Sequence, residues 1–237
     1  MVKHITILLA EAALEPFPKE LMKNFKVKKY FARISKKPDE VLLDITEHNF
    51  LIRNLANSHK RGRPDITHLA LLACQGSIIA KRKQLSVIVH TYNDFIIYIK
   101  PETRIPRTLR RFKGLFAQLF EFNRVPPNEQ EDPLIYLEKG TLTDFLKKNR
   151  YKHDLIIEFS VKGEKKALPS IAKAIINSST PLLIFGAFQR GHIKTLPRDL
   201  IDKTISIFEE GLDLFTVISH VLTAVEYEEE FQQEKTT

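Results

Sequence analysis

From residue 134 to residue 229, short apolar segments alternate with longer amphipathic segments. Four apolar segments are typical of buried strands: Leu134–Leu137, Leu155–Phe159, Leu182–Phe185 and Thr204–Phe208. Three amphipathic segments predict helices: Thr141–Lys148, Pro169–Asn177 and Leu212–Glu229. A turn or short helix is predicted at residues 197–202. Strands that alternate with helices predict an α/β fold with a parallel-rich sheet flanked by helices.

The residues before position 134 carry further strand and helix patterns. Strands are predicted at Ile5–Leu9, Val41–Leu43, Leu85–His90 and Phe95–Ile99, with a turn at Asn93 and Asp94. Helices are predicted at residues 19–34, near Glu47–Leu55, from Pro64 to Gly76, and at Arg107–Phe122. The linker-like stretch from Pro126 to Pro133 is too short to separate independent domains. We therefore expect a single domain over residues 1–237.

Composition and absent motifs exclude several classes of protein. The single cysteine, Cys74, rules out an intrachain disulfide and a multi-cysteine zinc site, and the eight histidines contain no HxxxH pair. The sequence contains no GxGxxG or GxSxG motif. Gly186 and Gly191 have the spacing of a phosphate loop, but His192-Ile193 stands where Lys-Ser/Thr is required. No apolar run approaches the roughly 18 residues of a membrane span, so we expect a soluble cytoplasmic protein. The single cysteine and the absence of an HxxxH pair lead us to expect no metal site.

The positive charge is concentrated in one segment. Residues 53–113 contain 13 Lys or Arg and three acids, whereas the other 176 residues contain 24 bases and 26 acids. Clustered cations favour a polyanion, because each Lys or Arg that binds a phosphate releases counterions. Nucleic acid is the favoured partner. A solvated basic face is the alternative, and a membrane surface is disfavoured because no basic amphipathic helix lies outside the predicted core.

Residues 57–68 (NSHKRGRPDITH) combine basic side chains with a helix start. Pro64 suits the first helical position, and Asp65 lies in the first turn, where a carboxylate complements the helix dipole. Arg61 and Arg63 flank Gly62, so an anion bound here would meet guanidinium groups and backbone N–H groups. Considered alone, the motif is explained better by helix stabilisation than by ligand binding.

Residues 100–112 (KPETRIPRTLRRF) form a second basic motif. Pro101 and Pro106 restrict the loop that carries Arg104. Arg107 and Arg111 are four residues apart and are predicted to share one helical face, away from the apolar side. This spacing favours a row of arginines for a phosphate chain over a merely solvated face.

Three predicted strand ends are candidates for the lining of one pocket. Residues 180–191 (TPLLIFGAFQRG) combine a buried strand with a glycine-bounded loop, and Phe159-Ser160 and Ile205–Leu212 are similar strand ends. Ligands of open α/β sheets bind at the carboxyl ends of strands. Ordinary connections are the alternative, which periodicity alone favours.

The segments HKRGRPDITH, PETRIPRTLRRF, TPLLIFGAFQRG and ISIFEEGL follow one another along nearly the whole chain. Together they resemble the SPOUT-class (α/β-knot) methyltransferases that modify pseudouridine at its first nitrogen in small-subunit ribosomal RNA. Members of that family also act as ribosome biogenesis factors, and the length resembles that of archaeal forms. The resemblance implies a SPOUT fold with a deep trefoil knot at about residues 154–230, plus an inserted or extended family-specific region.

The resemblance also implies partners and residue roles. It implies a homodimer, S-adenosylmethionine as cofactor, no metal, and small-subunit ribosomal RNA and ribosome assembly proteins as partners. The cofactor-binding residues would be Phe159, Gly186, Gly191, His192, Ser206, Ile207, Phe208, Gly211 and Leu212. The RNA-binding residues would be Arg61, Arg63, Arg104, Arg107 and Arg111.

In this interpretation the target base is presented unstacked, because a stacked base cannot reach the methyl group. Asp65 would act as a base or as an orienting group for the ring N–H, and Arg63 would orient Asp65 or stabilise charge on the target base. Two alternatives are a non-catalytic RNA-binding ribosome assembly factor with the same fold and a SPOUT methyltransferase that acts on transfer RNA. Binding of S-adenosylmethionine separates the first alternative from an enzyme.

Overall fold

The computed structural model describes residues 4–52 and 55–235, and in this part of the chain eight strands form one sheet. The strands are β1 (Ile5–Ala12), β2 (Leu85–Thr91), β3 (Phe95–Ile99), β4 (Arg124–Val125), β5 (Ile135–Lys139), β6 (Leu155–Lys165), β7 (Pro181–Gly186) and β8 (Lys203–Ser206). The helices are α1 (Phe25–Ile34), α2 (Ile45–Ile52), α3 (Pro64–Gly76), α4 (Ile78–Lys81), α5 (Leu109–Phe122), α6 (Leu142–Asn149), α7 (Leu168–Ile176) and α8 (Leu214–Glu234). Short 3-10 helices occupy Lys19–Lys23, Pro38–Glu40, Ser58–Lys60, Arg150–Lys152 and Arg198–Leu200.

The strand order across the sheet is β4-β5-β3-β2-β1-β7-β6-β8. Five adjacent strands pair with one another in parallel: β2, β1, β7, β6 and β8. Strands β3, β5 and β4 extend the sheet in antiparallel orientation. The predicted α/β fold with a parallel-rich sheet flanked by helices is confirmed, and the five parallel strands end at the same edge.

The central strand β1 shows why the sheet can be predicted from sequence. All eight of its residues are buried. Ile7 and Leu9 belong to the core that includes residues of α3, α5, α7 and α8, whereas Leu8 and Ala10 belong to the core that includes residues of α6. Because alternate residues of a strand point to opposite faces, a strand covered on both faces needs a continuous apolar run.

A separate small core lies outside the sheet, in the region between β1 and α3. It contains six buried apolar side chains from this region: Phe17, Val27, Phe31, Leu43, Leu51 and Ile52. The predicted helix at residues 19–34 is divided, because Asn24 ends the first 3-10 helix and caps α1 through its side chain. The predicted helix near Glu47–Leu55 is observed as α2, and residues 53 and 54 lie outside the described residues.

The strand predicted at Val41–Leu43 is wrong. Leu42 forms only an isolated antiparallel bridge with Pro16. The amide of Phe17 donates to the carbonyl of Val41 at 2.9 Å, and the amide of Leu43 donates to the carbonyl of Glu15 at 3.0 Å. A longer ladder is blocked because prolines at positions 16 and 18 lack the N–H donors that it needs.

The bend in β6 brings its two halves to the same residue of β8. Ile205 pairs with Phe159 before the bend and with Glu164 after it. A Cβ atom on Gly163 would lie 2.5 Å from the backbone nitrogen of Ile205, so only glycine allows this close approach. The threading of the chain that would make a knot stays a prediction.

Among the helices of residues 4–52 and 55–235, none is long and apolar enough to cross a membrane. In the same residues, no group of three or more His, Cys, Asp or Glu side chains is arranged as metal ligands.

Candidate active site

A cavity of about 370 Å³ lies at the carboxyl ends of β7 and β8 and beside the middle of β6, at residues 158–161. The loops after β7 and β8 and the start of α8 form its other walls. The lining includes every residue predicted to bind the cofactor: Phe159, Gly186, Gly191, His192, Ser206, Ile207, Phe208, Gly211 and Leu212. The three predicted strand ends meet because β7, β6 and β8 are parallel neighbours.

Aromatic rings and glycines shape the cavity. The rings of Phe159 and Phe185 stack with centroids 4.6 Å apart. A Cβ atom on Gly186 would lie 2.8 Å from the Phe188 ring, so glycine lets that ring lie against the end of β7. Gly191 has a φ of +108°, which L side chains rarely adopt. An apolar wall beside accessible backbone polar groups suits a ligand that has a flat aromatic part and several hydrogen-bonding groups.

A buried lysine of the first basic motif fixes the loop after β7. Lys60 is 2% exposed. Its ammonium group donates hydrogen bonds to the Glu11 carboxylate and, at 2.6 Å, to the carbonyl oxygen of His192. The same nitrogen lies 4.0 Å from the centroid of the Phe188 ring. The motif therefore contacts the cavity loop directly, through a residue that was not among the predicted site residues.

Glu11 binds the same loop from the end of β1. Its backbone has a φ of +48°, which is uncommon for a residue other than glycine. Its carboxylate accepts hydrogen bonds from the backbone N–H groups of Lys194 at 2.7 Å and Thr195 at 2.9 Å. Burial raises the pKa of this carboxyl, but the hydrogen bonds from Lys60 and Thr195 outweigh burial and hold the pKa below its usual value. The fold therefore stabilises the ionised form of Glu11.

Arg61 forms a second buried ion pair. Its guanidinium donates to both carboxylate oxygens of Glu15, at 2.8 and 2.6 Å, and the Glu15 side chain is fully buried. Asn93 donates to the same carboxylate at 3.1 Å. Burial lowers the pKa of Arg61, but Glu15 outweighs that effect and raises it, so the guanidinium stays charged. This arrangement ties the loop before α3 to the end of β1, and the RNA contact of Arg61 stays a prediction.

Arg63 and Asp65 form the most accessible ion pair of the motif. Two guanidinium nitrogens of Arg63 donate to the two carboxylate oxygens of Asp65, at 2.8 and 2.7 Å. Both side chains are partly open to solvent, at 27% and 33% exposure. Asp65 raises the pKa of Arg63, and Asp213 adds to this effect. The amide of Arg63 donates to the carbonyl of Ala13 at 3.0 Å, and the amide of Ala13 donates at 2.9 Å to the carbonyl of Ala187, which lies between the cavity-lining residues Gly186 and Phe188, so the backbone of this motif lies beside the cavity loop.

The second basic motif is anchored to α3. The Gln75 side chain donates to the carbonyl of Thr103 and accepts from the amide of Ile105 at 3.1 Å, and a His68 ring nitrogen bonds the carbonyl of Pro106 at 2.7 Å. Thr103 and Ile105 are buried, whereas Arg104 between them is exposed. The loop therefore holds Arg104 outward from a fixed backbone, as the two prolines predict.

The prediction that Arg107 and Arg111 share a helical face is wrong. Thr108 caps α5, and the helix begins at Leu109, so Arg107 lies in the loop before it. The cause is local, because Pro106 favours an extended backbone in the residue before it, and Thr108 at the N-cap position is still extended, although its side chain makes no cap hydrogen bond. Arg104, Arg107, Arg110 and Arg111 are nevertheless all exposed, and none forms an ion pair with the described residues.

Comparison with known families decides the class of this site. The model of the EMG1/NEP1 methyltransferase family matches residues 7–226. The chain belongs to this family. The sequence-based expectation of a methyltransferase is confirmed by this family membership.

Three relatives of this chain are covered over nearly their whole length. The ribosomal RNA small subunit methyltransferase Nep1 of Staphylothermus marinus is 38% identical over 227 residues, which cover 96% of this chain and 97% of the relative. The protein of the same name from Pyrococcus furiosus is 34% identical, with coverages of 96% and 99%. The crystal structure of Archaeoglobus fulgidus Nep1 bound to S-adenosylhomocysteine matches with a TM-score of 0.78 at 28% identity, and covers 96% of this chain and 99% of that one.

Several residues of the EMG1/NEP1 site were not predicted. Glu11 and Glu15 lie at the end of an apolar strand, where isolated acids give no pattern, and Lys60 was included only as part of a basic run. Their signal was nevertheless present, because two acids beside a strand that is buried on both faces need buried cations as partners. Gln75 and His68 gave no comparable signal, because an apolar helix often carries such residues without a partner loop.

Proposed function

We propose that this chain transfers a methyl group from S-adenosylmethionine to the first nitrogen of a pseudouridine in small-subunit ribosomal RNA. One observation carries the proposal: the motif that contains the Arg63–Asp65 ion pair is hydrogen-bonded, through Ala13 and Lys60, to the loop of the cavity that contains all the expected cofactor residues. The names of the S. marinus and P. furiosus relatives support the RNA substrate. The S-adenosylhomocysteine bound by the A. fulgidus protein supports the cofactor.

The cavity fits S-adenosylmethionine by size and by chemistry. Its volume of about 370 Å³ is within the range of sites for small ligands. The stacked Phe159 and Phe185 rings offer an apolar surface for an adenine ring, and glycines at positions 186 and 191 leave backbone groups accessible. When bound, this cofactor supplies an electrophilic methyl group on a sulfonium sulfur.

Asp65 is the residue that we propose to hold the target base. Methyl transfer forms a bond between the first ring nitrogen and the methyl carbon, breaks the bond from that carbon to sulfur, and leaves the electron pair on sulfur. The nitrogen must also lose its proton. The Asp65 carboxylate accepts a hydrogen bond from this N–H and receives the proton. A carboxylate at a helix N-terminus is a weak base, so much of the rate comes from positioning.

Arg63 positions Asp65 and adds positive charge beside the base. Its paired hydrogen bonds fix both oxygens of the Asp65 carboxylate, which restricts the directions from which the carboxylate can accept the ring N–H. Its partial exposure leaves other guanidinium N–H groups for a carbonyl oxygen of the base, where negative charge develops as the proton leaves. The exposed side chains of Arg104, Arg107 and Arg111 bind phosphates of the same RNA.

The proposal includes a homodimer, the trefoil knot and a role in ribosome assembly in the cytoplasm, all of which the family resemblance implies. A second copy would cover apolar side chains that are 39–47% exposed on α3, on the loop after β8 and on α8: Leu69, Phe208, Leu212 and Phe215. Apolar clusters of this kind favour protein contacts. The pairing of Ile205 with both halves of β6 supports the knot.

The test uses a small-subunit RNA fragment that contains one pseudouridine, with mass mapping of the methylated nucleoside. We expect methylation of this fragment, and none of the same fragment with uridine, because the first nitrogen of uridine is bonded to ribose. Methylation of transfer RNA instead would favour the alternative SPOUT substrate. Calorimetry that shows no binding of S-adenosylmethionine would favour a non-catalytic assembly factor.

The role of Asp65 is tested separately with the Asp65→Asn variant. We expect methylation to fall by about 10²-fold or more, with little change in the affinity for cofactor or RNA. Asp199→Asn is the matched control, because Asp199 is an exposed carboxylate in a short 3-10 helix and does not line the cavity. Full activity of Asp65→Asn with normal RNA binding would contradict this role.

A further inference from the structure

A second concentration of positive charge lies in the region between β1 and α3. Residues 19–37 contain eight Lys or Arg and a single acid, Glu20. Glu20 does not neutralise this group locally, because its carboxylate is directed towards Arg61, at 3.9 Å. The segment includes the whole of α1. It lies outside residues 53–113 and plays no part in the active site described above.

The four cations of α1 are exposed to solvent: Lys26, Lys28, Lys29 and Arg33. None of them forms an ion pair with the residues that the structure describes, and the Arg33 guanidinium lies 5.9 Å from the centroid of the Tyr30 ring. Val27 and Phe31, on the opposite face of the helix, are buried in the small core. The exposed face of α1 is therefore a surface of free positive charge.

This arrangement does not serve the stability of the helix. The first turn of α1 contains no acid, and Lys26, Lys28 and Lys29 lie near the positive end of the helix dipole. Like charges three or four residues apart, such as Lys29 and Arg33, also repel each other. A bound polyanion reverses the sign of both effects. The pattern is thus the one that an anion-binding helix needs.

The charged face of α1 continues towards the second basic motif. A groove of about 570 Å³ lies between the two elements, with Ile34 and Lys36 on one side and Leu109 and Arg110 on the other. Three acids also line this groove, Glu40, Asp44 and Glu47, and Lys113 forms ion pairs with the last two, so the lining carries as many acids as bases. Lys36 and Arg110 lie at the rim of this electrically balanced groove, between the cations of α1 and the exposed arginines around the start of α5.

We infer that the exposed face of α1 binds the phosphate backbone of the RNA substrate outside the segment that enters the active site. The inference rests on the proposed function for the identity of the RNA. A membrane is disfavoured because the apolar face of α1, with Val27 and Phe31, is already buried in the protein. An acidic protein is disfavoured because, among the described residues of α1, Phe25 is the only large apolar side chain that is mostly exposed, at 77%, whereas protein interfaces need a packed apolar centre. A single exposed aromatic ring suits an unpaired base.

The test is the triple variant Lys26→Gln, Lys29→Gln and Arg33→Gln, whose positions share one face of α1. The matched control is Lys147→Gln, Lys148→Gln and Lys173→Gln, which removes the same charge from exposed positions on α6 and α7. Two RNAs are compared by fluorescence anisotropy over a range of salt concentrations. One is a short pseudouridine-containing loop, and the other is the same loop with its flanking helices.

For the α1 variant we expect unchanged binding and methylation of the short loop. With the long RNA, affinity should fall at least about tenfold at low salt, and the slope of log K against log salt should decrease by about 2. The control variant should bind both RNAs like the wild type. Unchanged affinity of the α1 variant for the long RNA would overturn the inference. Failure of the wild type to methylate either RNA would overturn the proposed function instead, while the salt slopes would still test α1.

Discussion

Replacement of Lys60 with Met tests how the first basic motif controls the cavity. The substitution keeps an unbranched side chain but removes the ammonium group that the Glu11 carboxylate and the His192 carbonyl share. Glu11 then stays buried at 5% exposure, with hydrogen bonds from Lys194 and Thr195 but without a cation. The variant therefore isolates a negative charge in the protein and releases one attachment of the cavity loop.

The expected loss follows from the burial of both partners. Removal of one partner of a buried ion pair costs about 3–5 kcal/mol, because the remaining charge has no compensation. In a domain of this size, each kcal/mol lowers the Tm by about 2–4 °C, so the expected decrease is about 6–20 °C. The matched control is Lys194→Met. The ammonium of Lys194 is exposed and lies 3.4 Å from the side chain of Asn57, so the expected change is below about 0.5 kcal/mol.

The pH dependence distinguishes the lost ion pair from a packing defect. In the wild type the pKa of Glu11 is lowered, so this residue contributes stability that is present above the pKa of an unfolded Glu and is lost as the pH falls through the folded value. Without Lys60 the pKa of Glu11 rises, and protonation relieves the isolated charge. The difference in unfolding free energy between Lys60→Met and wild type should therefore shrink as the pH falls from about 8 towards about 4.

The measurements are urea denaturation at several pH values and calorimetric titration with S-adenosylmethionine. A deficit below about 1 kcal/mol at neutral pH, or a deficit that does not change with pH, would refute the reasoning. We also expect the affinity for the cofactor to fall at least about tenfold, because the His192 carbonyl and the Phe188 ring lose the same contact.

Two further predictions concern the buried parts of the fold. Gly163→Ala should destabilise the protein by about 1–3 kcal/mol or more in urea denaturation, because the new Cβ would meet the backbone of Ile205. The control Gly76→Ala should change the unfolding free energy by less than about 0.5 kcal/mol, because a Cβ added at Gly76 meets no atom of the described residues within 4 Å beyond its chain neighbours and the backbone of its own helix. Burial raises the pKa of the Cys74 thiol to about 12, so the native protein should not react with a thiol reagent at about pH 8, and reaction should appear in denaturant. Rapid reaction of the native protein would contradict the burial of Cys74.

The elements that the sequence predicts best are those covered on both faces. β1, β7 and the first half of β6 are buried and mostly apolar, so their positions follow from local composition. The strand order does not follow, because β1 lies between β2 and β7 through pairings that no local pattern contains. The segment Val41–Leu43 shows that local composition alone can mislead. It has a strand-like composition but forms only an isolated bridge, because the segment opposite it contains two prolines.

The features of the candidate site also differ in how far they can be predicted from the local sequence. The strand ends and glycines make three segments candidates for one pocket, but the pattern alone favours ordinary connections, and only the resemblance to the family names the cofactor residues that the cavity brings together. The start of α5 could not be predicted to the residue, because Arg107 and Thr108 both fit the helical period and only the backbone decides between them. The partners of Lys60 and Arg61 could not be predicted because Glu11 and Glu15 lie at least 46 positions away in the chain.

The role of the first basic motif becomes clear when the exposed fractions and ion-pair partners of its cations are compared. Lys60 and Arg61 are 2% and 7% exposed and are neutralised by the acids at the end of β1, so they contribute little to the field that an RNA meets. Arg63 is the first cation of the motif that reaches solvent, and it is already paired with Asp65. The motif therefore works less as a basic patch than as a connection between the cavity loop and the N-terminus of α3. In the proposed function, the free charge for RNA is that of the loop before α5, of the first turn of α5 and of α1, and the motif would bring the Asp65 carboxylate to the place where that RNA and the cofactor meet.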